Sequence, residues 1–182
     1  MHKILLAVLA LQSVSVMAGG FELTSPDMVA GQTISNHYVY NGFGCSGDNV
    51  SPTLLWKNPP AGTKSFAVTV HDPDAPTGGA GFWHWVVINL PATMTGLAQG
   101  DGVVNSTHFP AGVRQVRTDF GIDGWGGPCP PVGDTPHHYR FTVYALKVDH
   151  LDVPVDATAS VAGFMINQAA IGKASFVARY GR

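Results

Sequence analysis

The sequence predicts a mainly β protein, an antiparallel β-sandwich or barrel with few helices. Three observations lead there. Apolar and polar residues alternate with period two over several segments; turns dense in glycine and proline separate them; and strands do not alternate with helices as a parallel doubly wound sheet would require. The 182 residues include 22 glycines and 13 prolines in no repeating period, which excludes a collagen-like chain. A hydrophobic content of 45% argues against disorder. The length suits one domain with a substantial core.

Along the chain, His2 and Lys3 precede an apolar run from Ile4 to Leu11, and Val16-Met17-Ala18 supplies small or medium side chains. That order is a secretory signal peptide over 1–18 with cleavage expected after Ala18, a better fit than a buried N-terminal helix. The remainder, 19–182, is expected to be one domain, periplasmic or secreted. No later run reaches the roughly 18 apolar residues of a membrane span. Ser65 to His71 alternates and is rich in β-branched residues, so it is a strand, ended by Asp72-Pro73-Asp74-Ala75-Pro76-Thr77-Gly78-Gly79. Phe82 to Leu90 is the next strand, stopped by Pro91; within it His84 should face away from Trp83 and Trp85. Gly121 to Pro136 is loop. His137 to Val148 is a long strand with Tyr139, Phe141, Val143 and Ala145 on one face. Asp156 is expected to cap a helix over 157–171 with Val161, Phe164, Met165 and Ala169 on its apolar face and Gly172 as its stop; Ala174 to Tyr180 closes as a strand.

Charge and residue usage exclude several functions. Ten Lys and Arg against twelve Asp and Glu, with no basic run, do not build a nucleic-acid groove. Glu22 is the sole glutamate, so neither a Glu pair nor an HExxH helix exists. Cys45 and Cys129 are the only cysteines, far apart and without CxxC. In an oxidising compartment such a pair suggests a disulfide; two separate buried thiols are the alternative.

Candidate polar groups concentrate in three segments. In His71-Asp72-Pro73-Asp74-Ala75-Pro76, two carboxylates beside a histidine could present acceptors to a ligand, or each could bond nearby backbone N–H groups as in an ordinary Asp-Pro turn. In Trp83-His84-Trp85 the imidazole faces either a cavity or solvent, and a lone strand histidine is usually structural. In Gly126-Gly127-Pro128-Cys129-Pro130-Pro131, followed by His137-His138-Tyr139, the prolines make a rigid wall, and the glycine N–H groups could serve an oxyanion. If the three converge, they enclose a pocket of the kind that takes small molecules.

Those motifs, in that order, resemble the phosphatidylethanolamine-binding protein family. Gly42-Phe43-Gly44-Cys45, Asn49-Val50-Ser51-Pro52 and Cys129-Pro130-Pro131 resemble its bacterial YbhB/YbcL-like branch, and the secretion signal favours the periplasmic type. The resemblance runs from about Phe21 to the C-terminus. It implies a β-sandwich of one large central sheet and a smaller one with few peripheral helices. It also implies a cavity for phosphate-like anions, lined by Asp72, His84, Pro131, His137 and Tyr139, with Asp74 and Pro76 shaping one loop and Gly127 and Cys129 the opposite rim. Some eukaryotic relatives inhibit kinases, but the loop from Gly126 to Pro136 departs from their pattern, and His138 replaces a basic residue often found there.

The expected protein is therefore a non-catalytic binding protein for a small anionic or phosphorylated ligand, monomeric or homodimeric, with no cofactor or metal. The positive charge for the anion would come from His84 and His137, with Asp72 orienting an imidazole and Tyr139 adding a hydroxyl. Two other classes stay open. One is a hydrolase, either metal-dependent through His71, Asp72, Asp74, His84 and His137 or using Ser46, although no recognised motif supports either. The other is a protein that acts on an unidentified protein partner and whose pocket is secondary.

Overall fold

A computed structural model describes residues 19–182; the expected signal segment and its cleavage point lie outside the described residues. Strands β1 (Glu22–Thr24), β4 (Leu54–Lys57) and β7 (Gly96–Leu97) form a small antiparallel sheet in the order β1-β4-β7. Strands β5 (Ser65–Asp72), β6 (Phe82–Pro91), β8 (Arg114–Gln115), β9 (His137–Leu146) and β10 (Ala170–Tyr180) form the large antiparallel sheet, ordered β10-β9-β5-β6-β8. A hairpin of β2 (Asn41–Gly42) and β3 (Cys45–Ser46) and one helix, α1 (Ala159–Ala169), complete the main elements. This is the expected β-sandwich with a large and a small sheet.

Both faces of the large sheet are covered, so its central strand β5 is buried along nearly its whole length, polar Ser65, Thr69 and Asp72 included. On one face Val68, Val70, Trp85, Phe141 and Phe176 pack against Leu23, Leu54, Trp56 and Leu97 of the small sheet. On the other, Ala67, Val86, Ile88, Tyr144 and Leu146 pack under α1 and the segment carrying Leu151, Val153 and Ala157. The expected inward face of β9 holds: Tyr139, Phe141, Val143 and Ala145 all lie in the first core.

Four local expectations are corrected. Thr158, not Asp156, caps α1, its hydroxyl accepting from Val161 N at 3.3 Å. The buried face of α1 is Ala159, Ala162, Gly163, Ile166 and Ala169, while Val161 and Phe164 are exposed. Small residues win because the helix lies close to the sheet: a Cβ on Gly163 would sit 2.8 Å from Trp83. Gly172 is inside β10, at a register shift, and its place is set by Pro60, 2.5 Å from any added Cβ.

The fourth correction is in β6. Val70 pairs with Trp85 and His71 with Trp83, so one residue is extra on β6 and the alternation breaks at His84. Trp83 turns to the helix-covered core and Trp85 to the inter-sheet core. His84 does not oppose both tryptophans; its ring meets Tyr139 edge-on, 5.0 Å between centroids, on the same side as Trp85.

Candidate functional site

Because β9, β5 and β6 are antiparallel neighbours, the end of β5 and the starts of β6 and β9 lie at one edge of the sheet. That edge carries Asp72, His84, His137 and Tyr139, so three segments distant in sequence meet at one cavity of about 250 Å³. Pro76, Cys129 and Pro131 also line it. Phe43, Phe82 and Phe120, from segments not counted among the site candidates, supply apolar wall.

Asp72 and His137 are buried and paired, His137 Nδ1 donating to Asp72 Oδ2 at 2.7 Å. The other ring nitrogen faces Asp134 Oδ2 at 3.3 Å. Burial opposes charge on His137, but the hydrogen bonds and charges of Asp72 and Asp134 outweigh it and raise its pKa. Both N–H groups of that imidazolium are thus committed to carboxylates. Asp72 Oδ1 accepts from the backbone N–H of Asp74 at 2.9 Å, the ordinary Asp-Pro turn, so Asp72 serves turn and pocket at once.

His84 is held differently. Its Nδ1 donates to the carbonyl of Gly126 at 2.7 Å, and Gly126 N–H donates back to the His84 carbonyl at 2.9 Å. Burial pulls its pKa down to about 4, beyond what the Gly126 carbonyl and the Asp72 charge restore. A carbonyl can only accept, so the one ring proton of neutral His84 sits on Nδ1 and Nε2 is a bare acceptor. Beside it, the Tyr139 hydroxyl is buried with no hydrogen-bond partner among the described residues. Burial and then the Asp72 charge push its pKa up, so it stays a neutral donor.

Two expected residues do not line the cavity. Asp74 lies behind the loop, its Oδ2 accepting from His138 N and meeting His138 Nδ1, both at 2.7 Å. Burial works against its charge, but the His138 contacts hold the carboxyl below its usual range. Gly127 is packed on backbone, where a Cβ would strike the Tyr38 carbonyl, and its N–H donates to Asn49 Oδ1 at 2.8 Å. With Gly126 N–H bonded to His84, neither glycine offers a free donor to an oxyanion. Cys45 and Cys129 form a disulfide that ties the β2–β3 hairpin to the rim. Arg182 secures the same rim, donating to the carbonyls of Pro130 at 2.6 Å, Gly44 at 2.9 Å and Phe43 at 3.2 Å. No local pattern around a C-terminal arginine marks that role.

Ser46 is exposed and His71 bonds the Ala80 carbonyl through Nε2 at 3.1 Å; neither lines the cavity. Among the described residues no three His, Cys, Asp or Glu side chains gather as a metal ion would need, and no helix is long and apolar enough to cross a membrane.

The class these features define is a small β-sandwich with a ligand-sized, polar-floored pocket at the end of its central strands. The phosphatidylethanolamine-binding protein family model matches residues 24–181. YbcL of Escherichia coli is 47% identical over 173 residues, covering 95% of this chain and 94% of its own. YbhB of the same organism is also 47% identical, over 159 residues, covering 87% of this chain and 99% of its own. The crystal structure of YbcL, described as a member of the mammalian family, superposes with a TM-score of 0.86 over 89% of this chain and 98% of that one. The chain belongs to the phosphatidylethanolamine-binding protein family, among its YbhB/YbcL-like members.

Proposed function

We propose that this protein works outside the cytoplasm as a non-catalytic binding protein that holds a small phosphate-like anion in the Asp72–His84–Tyr139 cavity. The observation that carries the reading is the Tyr139 hydroxyl. A buried donor without a partner is costly, and this one belongs to a residue that lines the cavity beside His84. An oxyanion there would accept from Tyr139 and meet His84 Nε2. Since that nitrogen is bare, the second contact needs one proton, carried in by the ligand or taken up by His84. The Asp72–His137 pair contributes no net charge, so binding is governed by that proton.

The expected signal peptide and the disulfide support an oxidising compartment outside the cytoplasm. The commitment of both Asp72 oxygens, one to the Asp74 N–H and one to His137, supports binding without turnover. Titration calorimetry with inorganic phosphate at pH 6 tests the reading. Wild type should bind, and Tyr139→Phe should weaken binding by roughly 10–100-fold, the value of a hydrogen bond to a charged group. No binding by wild type, or equal binding by the variant, overturns it.

A further inference from the structure

We infer that the cavity selects a phosphomonoester carrying a flat aromatic substituent, its ring lying against Phe120 and Phe43. The inference rests on the anion reading above and adds the class of ligand.

Size comes first. A cavity of roughly 150 Å³ suffices for a benzene molecule, and drug-sized ligands occupy about 300–1,000 Å³. At about 250 Å³ this one has room beyond a phosphate for one ring but not for a large molecule.

Shape comes second. From floor to mouth one wall is a run of rings: His84 meets Phe120 at 5.3 Å, and Phe120 meets Phe43 at 5.9 Å with only 14° between their planes. Phe82 braces Phe120 edge-on at 4.9 Å. Prolines 76, 130 and 131 also line the cavity, and proline side chains adapt little to an occupant. A phosphate on Tyr139 and His84 would direct its substituent along the rings.

The third observation is Phe43 itself. It is 70% exposed and sits in the left-handed backbone region at φ +53°, an unusual place for a bulky side chain. The Cys45–Cys129 disulfide and the Arg182 bonds to the Phe43 and Gly44 carbonyls hold the turn there. The ring packs against Tyr40 at 5.5 Å as well as Phe120, and the surface it leaves exposed at the cavity is what a ligand would meet.

Calorimetry at pH 6 with inorganic phosphate, phenyl phosphate and n-butyl phosphate tests this. Wild type should prefer phenyl to n-butyl phosphate by roughly three- to tenfold, the worth of an aromatic pair beyond its apolar area. Phe43→Leu, which keeps an apolar side chain at an exposed site but removes the ring, should erase that ratio. Equal affinities for the two esters in wild type, or a ratio that survives in the leucine variant, overturn the inference. Phosphate binding without aryl preference defeats the inference alone, whereas no binding of any probe defeats the anion reading with it.

Discussion

Raising the pH from 6.5 to 8 should weaken binding of a phosphomonoester by about 30-fold. The magnitude follows from the geometry at His84. With its proton on Nδ1 and its pKa near 4, the empty site offers no proton at Nε2 in this range. A phosphomonoester loses its second proton near pH 6. Above that, one proton must be taken up for each ligand bound, and each pH unit costs tenfold, or about 1.4 kcal/mol. The direction is fixed: affinity rises as pH falls, and it levels off between about pH 6 and 4, where the ligand monoanion brings the proton. Calorimetry at pH 7.5 in two buffers of different ionisation enthalpy counts protons directly, and the expected uptake is close to one. His84→Gln, whose amide presents a donor without titrating, should flatten the profile. Zero uptake with constant affinity from pH 6.5 to 8 would refute the proton bridge.

Three further outcomes bear on the fold and on the frame of the site. Asp72→Asn breaks a buried pair and should cost about 3 kcal/mol in urea denaturation near pH 6. Because the His137 pKa is raised in the folded state, that contribution is complete below about pH 6.5 and disappears as pH climbs through the raised value, so the gap to wild type should close on the alkaline side. Reducing the Cys45–Cys129 bond, which spans 84 positions, should remove about 4–5 kcal/mol on the loop-entropy model, read from the denaturation midpoint with and without reductant. On α1, Ile166→Ala should cost about 2–5 kcal/mol and Phe164→Ser less than about 0.5 kcal/mol in thermal unfolding; the reverse order would restore the face that the apolar pattern first indicated.

The sandwich was legible because its central strands carry the signal in their composition: Ser65–Asp72 alternates and is rich in β-branched residues, and Tyr139 to Ala145 alternates cleanly. Convergence of Asp72, His84 and His137 stayed conditional on the residues alone and was implied only by the family resemblance of the motifs that carry them. What escaped depends on contacts distant in sequence. The bulge at His84 is a register property of β5 and β6 together, invisible in Trp83-His84-Trp85 alone. Gly127 reads as a possible donor until Tyr38 and Asn49 are found against it. The helix face was misjudged because Ala159, Ala162 and Gly163 carry little hydrophobic signal, yet their smallness lets α1 approach Trp83. Phe43, Phe120 and Arg182 belong to no periodic pattern, so only the folded chain brings them to the cavity mouth.

A crystal structure grown with inorganic phosphate near pH 5.5 tests the central claim most directly. The expected result is a phosphate in the cavity with one oxygen within hydrogen-bond distance of the Tyr139 hydroxyl and another at His84 Nε2. Phosphate bound only elsewhere on the surface, with Tyr139 and His84 contacting nothing but water, would contradict it.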